Sequence, residues 1–247
     1  MKYLLKVKVL GLLGVMVMAM VLCSPALASL SVGLSFSSFS PTYGEVNEDL
    51  EGLNDRFGTS WELGSGLAYG LNLSSGLSPN WRIRGEYFAF SSETSDSFSG
   101  VIGGYDVDID YEIKTSLGAL ILSGIYRFSP DKAFSPYAGV GIGSFSTELK
   151  TEATGEGSYY GHYQDWEGNV NTSQSDKAAP IGFQVLGGVE YKIGENLSIL
   201  GELRYINAKA TGLLEGKGPG DNPFNDGEDI DWSGLSFGLQ AVYALGS

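Results

Sequence analysis

The clearest pattern along the chain is alternation. Leu30, Val32, Leu34 and Phe36 alternate with Ser31, Gly33, Ser35 and Ser37, and a period of two marks a strand with one apolar face. The same pattern returns where Trp61, Leu63, Leu67, Tyr69, Leu71 and Leu73 sit among Glu62, Gly64, Gly66, Ala68, Gly70 and Asn72. It closes the chain with Leu235, Phe237, Leu239, Ala241, Tyr243 and Leu245 set against Gly234, Ser236, Gly238, Gln240 and Ala244, Val242 being the apolar exception. Five further strands are predicted near 81–91, 107–128, 136–148, 181–193 and 197–207, which makes eight, or ten if a long connection holds a hairpin. In the 107–128 segment the continuous Leu120-Ile121-Leu122 blurs the phase, as a bulge or a second buried face would. Beyond Ser29 no segment keeps apolar residues at helical spacing for three turns, so the fold class is all-β.

A soluble sandwich alternates too, and three features decide between the two. The face opposite the apolar one is small and polar, with charges set among glycines: Arg82, Arg84 and Glu86, then Glu112 and Lys114, then Glu190 and Lys192, then Glu202 and Arg204. Connections alternate short (near 75–80, 129–135 and 194–196) and long (near 38–59, 92–106, 149–180 and 208–231), the outer-membrane pattern of short inner turns and long outer loops. Aromatics mark strand ends, with Trp81, Tyr137, Tyr191 and Tyr243 toward one rim and Trp61, Tyr205 and Trp232 toward the other. The 11 steps from Trp232 to Tyr243 rise about 28 Å at roughly 3.3 Å each and a tilt of about 40°. The predicted architecture is therefore a closed antiparallel eight-stranded transmembrane β-barrel with short periplasmic turns and long extracellular loops. Closure leaves no unpaired edge in hydrocarbon.

The first residues read as an address. Lys2, Lys6 and Lys8 precede an apolar run from Val9 to Leu22, and Ala26-Leu27-Ala28 supplies the small-x-small cleavage pattern. Residues 1–28 are thus predicted to be a cleavable signal peptide and 29–247 the barrel domain. Cys23 lacks the small preceding residue of a lipidation box, since Leu22 stands there. Cleavage would remove that single Cys, so the exported chain could not rely on disulfides. All 29 acidic residues lie beyond Ala28 while three of the 15 basic ones precede it, so the net charge of -14 becomes -17 on the remainder. So acidic a chain is not expected to bind nucleic acid. A mean hydropathy of essentially zero then reads as the average of a lipid-facing half and a polar half.

The stretches Phe134-Ser-Pro-Tyr-Ala-Gly-Val-Gly-Ile-Gly143, Gly182-Phe-Gln-Val-Leu-Gly-Gly-Val-Glu-Tyr191 and Leu197-Ser-Ile-Leu-Gly-Glu-Leu-Arg-Tyr205 resemble the small outer-membrane β-barrel superfamily of OmpW-like and opacity-protein-like porins. The last strand is similar to the barrel-assembly signal at Ser236, Gly238 and Tyr243, departing from it at Ala241 and in ending Leu245-Gly246-Ser247. The resemblance implies a Gram-negative-type outer membrane, partners in its lipid, lipopolysaccharide and the barrel-assembly machinery, and a porin-like role for small, possibly hydrophobic solutes. It leaves oligomeric state open.

An eight-stranded lumen is either filled by side chains or holds one small ligand. Arg82, Arg84, Glu86, Glu112, Lys114, Glu190, Glu202 and Arg204 are the candidate lumen charges: they line a polar pathway, or they pair and plug it. In the second case the protein would be a structural or adhesive surface protein presenting its loops. Phe88 and Phe90 continue the inward set of their strand toward the outer mouth. Catalysis is not expected, because the one histidine, His162, sits in a long loop among Tyr159, Tyr160, Tyr163 and Trp166. No cofactor or metal is expected: the clustered oxygen ligands Asp221, Asn222, Asn225, Asp226, Glu228, Asp229 and Asp231 of the fourth loop do not match an EF-hand spacing. In the first loop Asn47 is read as the cap of a short helix bearing Leu50, Leu53 and Phe57, either a lid over the mouth or a loop folded on itself.

Overall fold

The computed structural model describes residues 30–102, 105–160, 165–214 and 227–245. The signal-peptide reading of 1–28, His162 and Asp221, Asn222, Asn225 and Asp226 lie outside the described residues, as do the side chains of Leu53, Phe57, Tyr159, Tyr160, Tyr163, Trp166 and Glu228.

The strands run β1 Leu30–Tyr43, β2 Gly66–Gly76, β3 Trp81–Ile102, β4 Tyr105–Arg127, β5 Phe134–Tyr160, β6 Asp165–Ala178, β7 Ile181–Lys192, β8 Leu197–Asn207, β9 Lys209–Leu213 and β10 Glu228–Ala244, with one helix, α1, at Glu45–Phe57. Of these ten strands, β6 pairs only β5 and β9 only β10, and the remaining eight close a ring through antiparallel β1–β10 pairing from Ser31↔Ala244 to Pro41↔Gly234. The hairpins foreseen in the long connections therefore exist, but they stand on the barrel instead of widening it.

Lipid and water fix the phase of each strand. Phe36, Leu67, Leu71, Ile142, Val185, Leu203 and Phe237 are exposed on the outside, while Ser31, Ser35, Asn72, Ser123, Gln184, Ser236 and Gln240 are buried within. Strands β2 and β8, of 11 residues each, rise about 25 Å at a 40° tilt, enough for the apolar band. Strands β3, β4 and β5 have 22, 23 and 27 residues and continue beyond the membrane. There β3–β6 form a four-stranded wing whose outward rows, such as Ser97–Asp110–Thr154–Asn171, are polar.

The blurred phase of β4 resolves without a bulge. The strand pairs in unbroken register from Tyr105 to Arg127, with Leu120 and Leu122 outward and Ile121 inward. Glu112 and Lys114 share the parity of Leu122, so they lie on the outer face of the wing and not in the lumen, and Lys114 pairs with Glu93 in solvent. The lumen positions at that height are Ile113, Thr115 and Leu117.

The aromatic belts need a similar correction. Trp81, Tyr191, Tyr205 and Tyr243 are exposed on the barrel's outside, whereas Trp61, Tyr137 and Trp232 are buried. Trp232 and Tyr243 are an odd number of residues apart on β10, which keeps one register against β8 and β9 from Tyr243 to Asp231 although its pairing with β1 shifts between Pro41 and Tyr43, so one points in and the other out. Tyr137 likewise shares the inward parity of Gly139 and Gly141, opposite to exposed Val140 and Ile142. The belt at the short-turn end is completed instead by Tyr126, Phe128 and Phe134. Tyr126 lies edge-on to both Trp81 and Phe128, and Phe134 is exposed beside Tyr191.

Helix α1 is a lid over the mouth rather than a loop folded on itself, because Val46 and Leu50 are buried in the cluster that fills the upper lumen. Asn47 does not cap it. The cap position is Gly44, at φ 59, with no side-chain bond, and Asn47 lies inside the helix. Asn47 and Asn54, seven residues apart and so on one helix face, each embrace a backbone unit of the segment that follows. Asn47 Nδ2 donates to Leu63 O and its Oδ1 accepts from Leu63 N, both at 3.0 Å. Asn54 does the same with Trp61 at 2.8 Å on both sides. That segment is tied in turn to β3, where Asp96, Thr94 and Ser92 side chains accept from the N–H groups of Ser60, Glu62 and Gly64. Asn54→Ala removes both Trp61 bonds and the one from Thr59, each worth about 1 kcal/mol. Hydrogen exchange at the Trp61 amide is expected to quicken at least tenfold while the strand amides keep their protection.

Candidate functional site: a lumen of two layers

Strands β3 and β8 lie four places apart in the eight-strand ring, on opposite sides of the lumen. Arg84 and Glu86 on β3 meet Glu202 and Arg204 on β8 across the axis. Arg84 Nη1 and Nη2 donate to Glu202 Oε2 and Oε1 at 2.7 and 3.1 Å, a bidentate pair. Arg204 Nη1 donates to Glu86 Oε1 at 2.8 Å and its Nη2 to Glu202 Oε1 at 2.6 Å, and Arg84 Nη2 stands 3.5 Å from Glu86 Oε2. All four residues are at most 3% exposed. Tyr137 donates from its hydroxyl to Glu202 Oε2 at 2.9 Å, a role foreign to its expected place in the belt. A Cβ at Gly188, its cross-strand partner, would stand 2.6 Å from that hydroxyl, so this position must lack a side chain. Gln240 Oε1 accepts from Asn72 Nδ2 at 3.2 Å and weakly from Arg84 Nη1 at 3.4 Å, and Gln184 Nε2 donates to Ser123 Oγ at 3.0 Å. A girdle of charge and amide closes the barrel across its width.

Toward the short-turn end, Glu190 faces Arg82 at 3.5 Å and Arg127 at 3.8 Å. Arg127 escaped the sequence reading, although it shares the inward parity of Ser123 and Ile125. Lys192 Nζ donates to Pro130 O at the rim.

Above the charges the lumen becomes aromatic. Phe39 lies edge-on to Phe88 at 5.5 Å and to Phe90 at 5.1 Å, Phe90 meets Trp232 at 6.1 Å, and Trp232 meets Tyr43 at 5.7 Å. Such edge contacts are favourable beyond the area they bury. Trp232 Nε1 is satisfied by Thr147 Oγ1 at 2.8 Å. The Arg204 guanidinium joins the two layers by lying 5.4 Å from the Phe88 ring centre. Leu117, Ile121, Phe145, Leu149 and Ile206 complete the walls.

Of the candidate lumen charges, Arg82, Arg84, Glu86, Glu190, Glu202 and Arg204 are inside, and Glu112 and Lys114 are outside. In the fourth loop, Asp229 accepts from Gly212 N and pairs with Lys209, and Asp231 accepts from Ser233 N. The hydrogen bond from Lys209 holds the Asp229 carboxyl below its usual range, against a desolvation cost and with help from Gly212 N–H. That contribution is present above the ordinary Asp range and fades as pH falls through the lowered value. Among the described residues no cluster of His, Cys, Asp and Glu could hold a metal.

The sequence matches the outer membrane protein beta-barrel domain over residues 9–243. The chain belongs to that family. Its place is accordingly the outer membrane. OprG from Pseudomonas aeruginosa shares the fold, with a TM-score of 0.50 at 14% identity over 89% of this chain and 97% of that one. Neisserial surface protein A aligns with a TM-score of 0.44 at 12% identity over 87% and 96% of the two chains. A major outer membrane protein from Thermus thermophilus aligns with a TM-score of 0.44 at 15% identity over 87% and 99%. No curated protein matches the sequence.

Proposed function

We propose that this barrel serves small apolar solutes at its upper lumen and passes neither ions nor water-soluble solutes along its axis. The interior of a transmembrane barrel is ordinarily polar. Here it turns from charged to aromatic half-way up, and that stacking of Phe39, Phe88, Phe90 and Trp232 above the Arg–Glu girdle carries the reading. A solute entering beneath α1 would have to part this packed aromatic cluster, and would find no route through the ion pairs below it. The wall changes partner where β5 exchanges β6, from Thr147↔Ala178 upward, for β7 from Ser144↔Ile181 downward, with Phe145 N donating to Pro180 O at 2.9 Å across the junction; under this reading a solute would leave by parting that seam. Pro180 itself has no N–H to give to a ladder.

The test is titration of the refolded protein in vesicles with N-phenyl-1-naphthylamine. Saturable one-to-one binding with quenching of tryptophan emission supports the reading. Partition indistinguishable from protein-free vesicles refutes it.

The second reading, a surface-interaction protein with a plugged lumen, is favoured by the wing, whose outward face carries rows of Ser, Thr, Asn, Asp and Glu on β3–β6. It predicts binding to cells or matrix that is lost when the wing is shortened and untouched by lumen substitutions. No catalytic role is proposed. Export through cleavage after Ala28 is part of the proposal, and mass spectrometry of the mature protein should find Ser29 at the N-terminus. An intact or lipidated N-terminus would contradict it. Lipid, lipopolysaccharide and the barrel-assembly machinery are the partners this route requires.

A further inference from the structure

The charges inside the barrel do not balance. Arg82, Arg84, Arg127 and Arg204 face Glu86, Glu190 and Glu202 in the same polar layer, an excess of one positive charge. At the rim Lys192 and Asp131 add one charge of each sign. The girdle itself is balanced, and the excess lies with Arg82 and Arg127, whose side chains are each 15% exposed toward the mouth; the part of that charge withdrawn from water is what a counter-ion would offset.

A place for one exists. Between the girdle and the short-turn mouth lies a void of about 10 Å³, whose walls include Arg84, Arg127, Gln240, Asn72, Arg82 and Glu190. Three N–H donors on these walls meet no acceptor in the protein: Arg84 Nε, Arg127 Nε and Gln240 Nε2. Arg84 and Gln240 are 2% and 3% exposed, so bulk water does not satisfy them. Glu190 is the one negative wall: its Oε2 stands 3.5 Å from Arg82 and 3.8 Å from Arg127 but makes no hydrogen bond, so it opposes an anion while the two arginines face it.

We propose that this cavity binds a single small monovalent anion, of the size of chloride, held by Arg84, Arg127 and Gln240. The volume is about that of one water-sized sphere, so a halide, which is somewhat larger, enters only as the flexible Arg and Gln heads give by a few tenths of an ångström, and carboxylates and phosphates are excluded. A water would accept at most two of the three hydrogen bonds and leave the excess charge in place. An anion accepts all three and cancels it. The ion sits below the girdle, so it neutralises the plug from the periplasmic side without depending on the apolar site above.

The decisive experiment uses the full refolded chain crystallised from sodium bromide, with anomalous diffraction at the bromine edge. A bromide peak between Arg84, Arg127 and Gln240 is expected. Its absence from that cavity, whatever peaks appear elsewhere, overturns the proposal. In solution the urea midpoint of the wild type should rise saturably with chloride at constant ionic strength made up with gluconate. Arg127→Gln, which removes the excess charge and one donor, should abolish that dependence. An identical chloride dependence in the variant counts against the site. If Arg127→Gln does not refold, Gln240→Leu reports on the same question, and the bromide measurement needs no variant.

Discussion

Replacing Arg84 with methionine should lower the unfolding free energy of the refolded barrel by about 3–5 kcal/mol, the cost of breaking a buried ion pair from one side. The side chain supplies both hydrogen bonds of the bidentate pair with Glu202 and the close approach to Glu86. Without it two carboxylates share the girdle with Arg204 alone, in a layer that solvent does not reach. The matching double variant, Arg84→Met with Glu202→Leu, removes one charge of each sign and should recover much of the loss, since apolar groups of similar volume replace buried pairs at little cost. Equilibrium unfolding in urea measures both. A single variant within 1 kcal/mol of wild type would mean that the girdle is hydrated and holds nothing together.

Trp232→Ala should cost a similar 3–5 kcal/mol, for a different reason. Trp232 is fully buried and is the largest such side chain among the described residues. Its loss opens a cavity in the upper lumen, where the surrounding strands are fixed by ladders and cannot collapse inward. It also strips Phe90 and Tyr43 of an edge contact and Thr147 of its donor. Trp232→Phe should recover most of the packing and leave only the lost hydrogen bond, about 1 kcal/mol. Had Trp232 lain in the outer belt, its truncation would have cost far less and would have changed the lipid dependence of stability. The two variants therefore also test which way this side chain points.

The eight membrane-spanning strands were legible because hydrocarbon enforces contrast. Phe36, Leu71 and Phe237 face lipid, and their neighbours Ser35, Asn72 and Ser236 face the lumen, so each strand writes its phase into the sequence. Above the membrane that contrast fades. The upper half of β3 has water on one face, and a run such as Ser95-Asp96-Ser97 shows little difference between its two sides, whereas in β4 Asp106, Asp108 and Asp110 still alternate with Val107 and Ile109. The wing parts of β3, β5 and β6 accordingly read as loops over 92–106 and 149–180, while that of β4 was legible as strand from 107. The same loss of contrast misled the assignment of Glu112 and Lys114, whose charge suggested the lumen although counting in twos from Leu122 puts them outside.

Parity would also have placed Tyr137 and Trp232 inward, since each lies an odd number of residues from an outward neighbour on its strand. Their aromatic character at a strand end outweighed that count. Other features left no local trace. Arg84 and Glu202 are 118 residues apart in sequence, and only closure of the ring makes β3 face β8. Asn47 and Asn54 show the spacing of one helix face, but the backbone they grip lies in a later segment. The alternation of short and long connections gave the orientation, and a plug of paired charges was one of two outcomes the inward residues allowed, but which acid meets which arginine became visible only once the ring was closed.

The central claim is that this lumen is closed across its width by Arg84, Glu86, Glu202 and Arg204. Single-channel recording from the refolded wild-type protein in planar bilayers tests it most directly. The structure predicts a silent membrane, with no steady conductance at moderate voltage. A steady ohmic conductance that persists in the wild type, and scales with salt as a water-filled pore does, would contradict it.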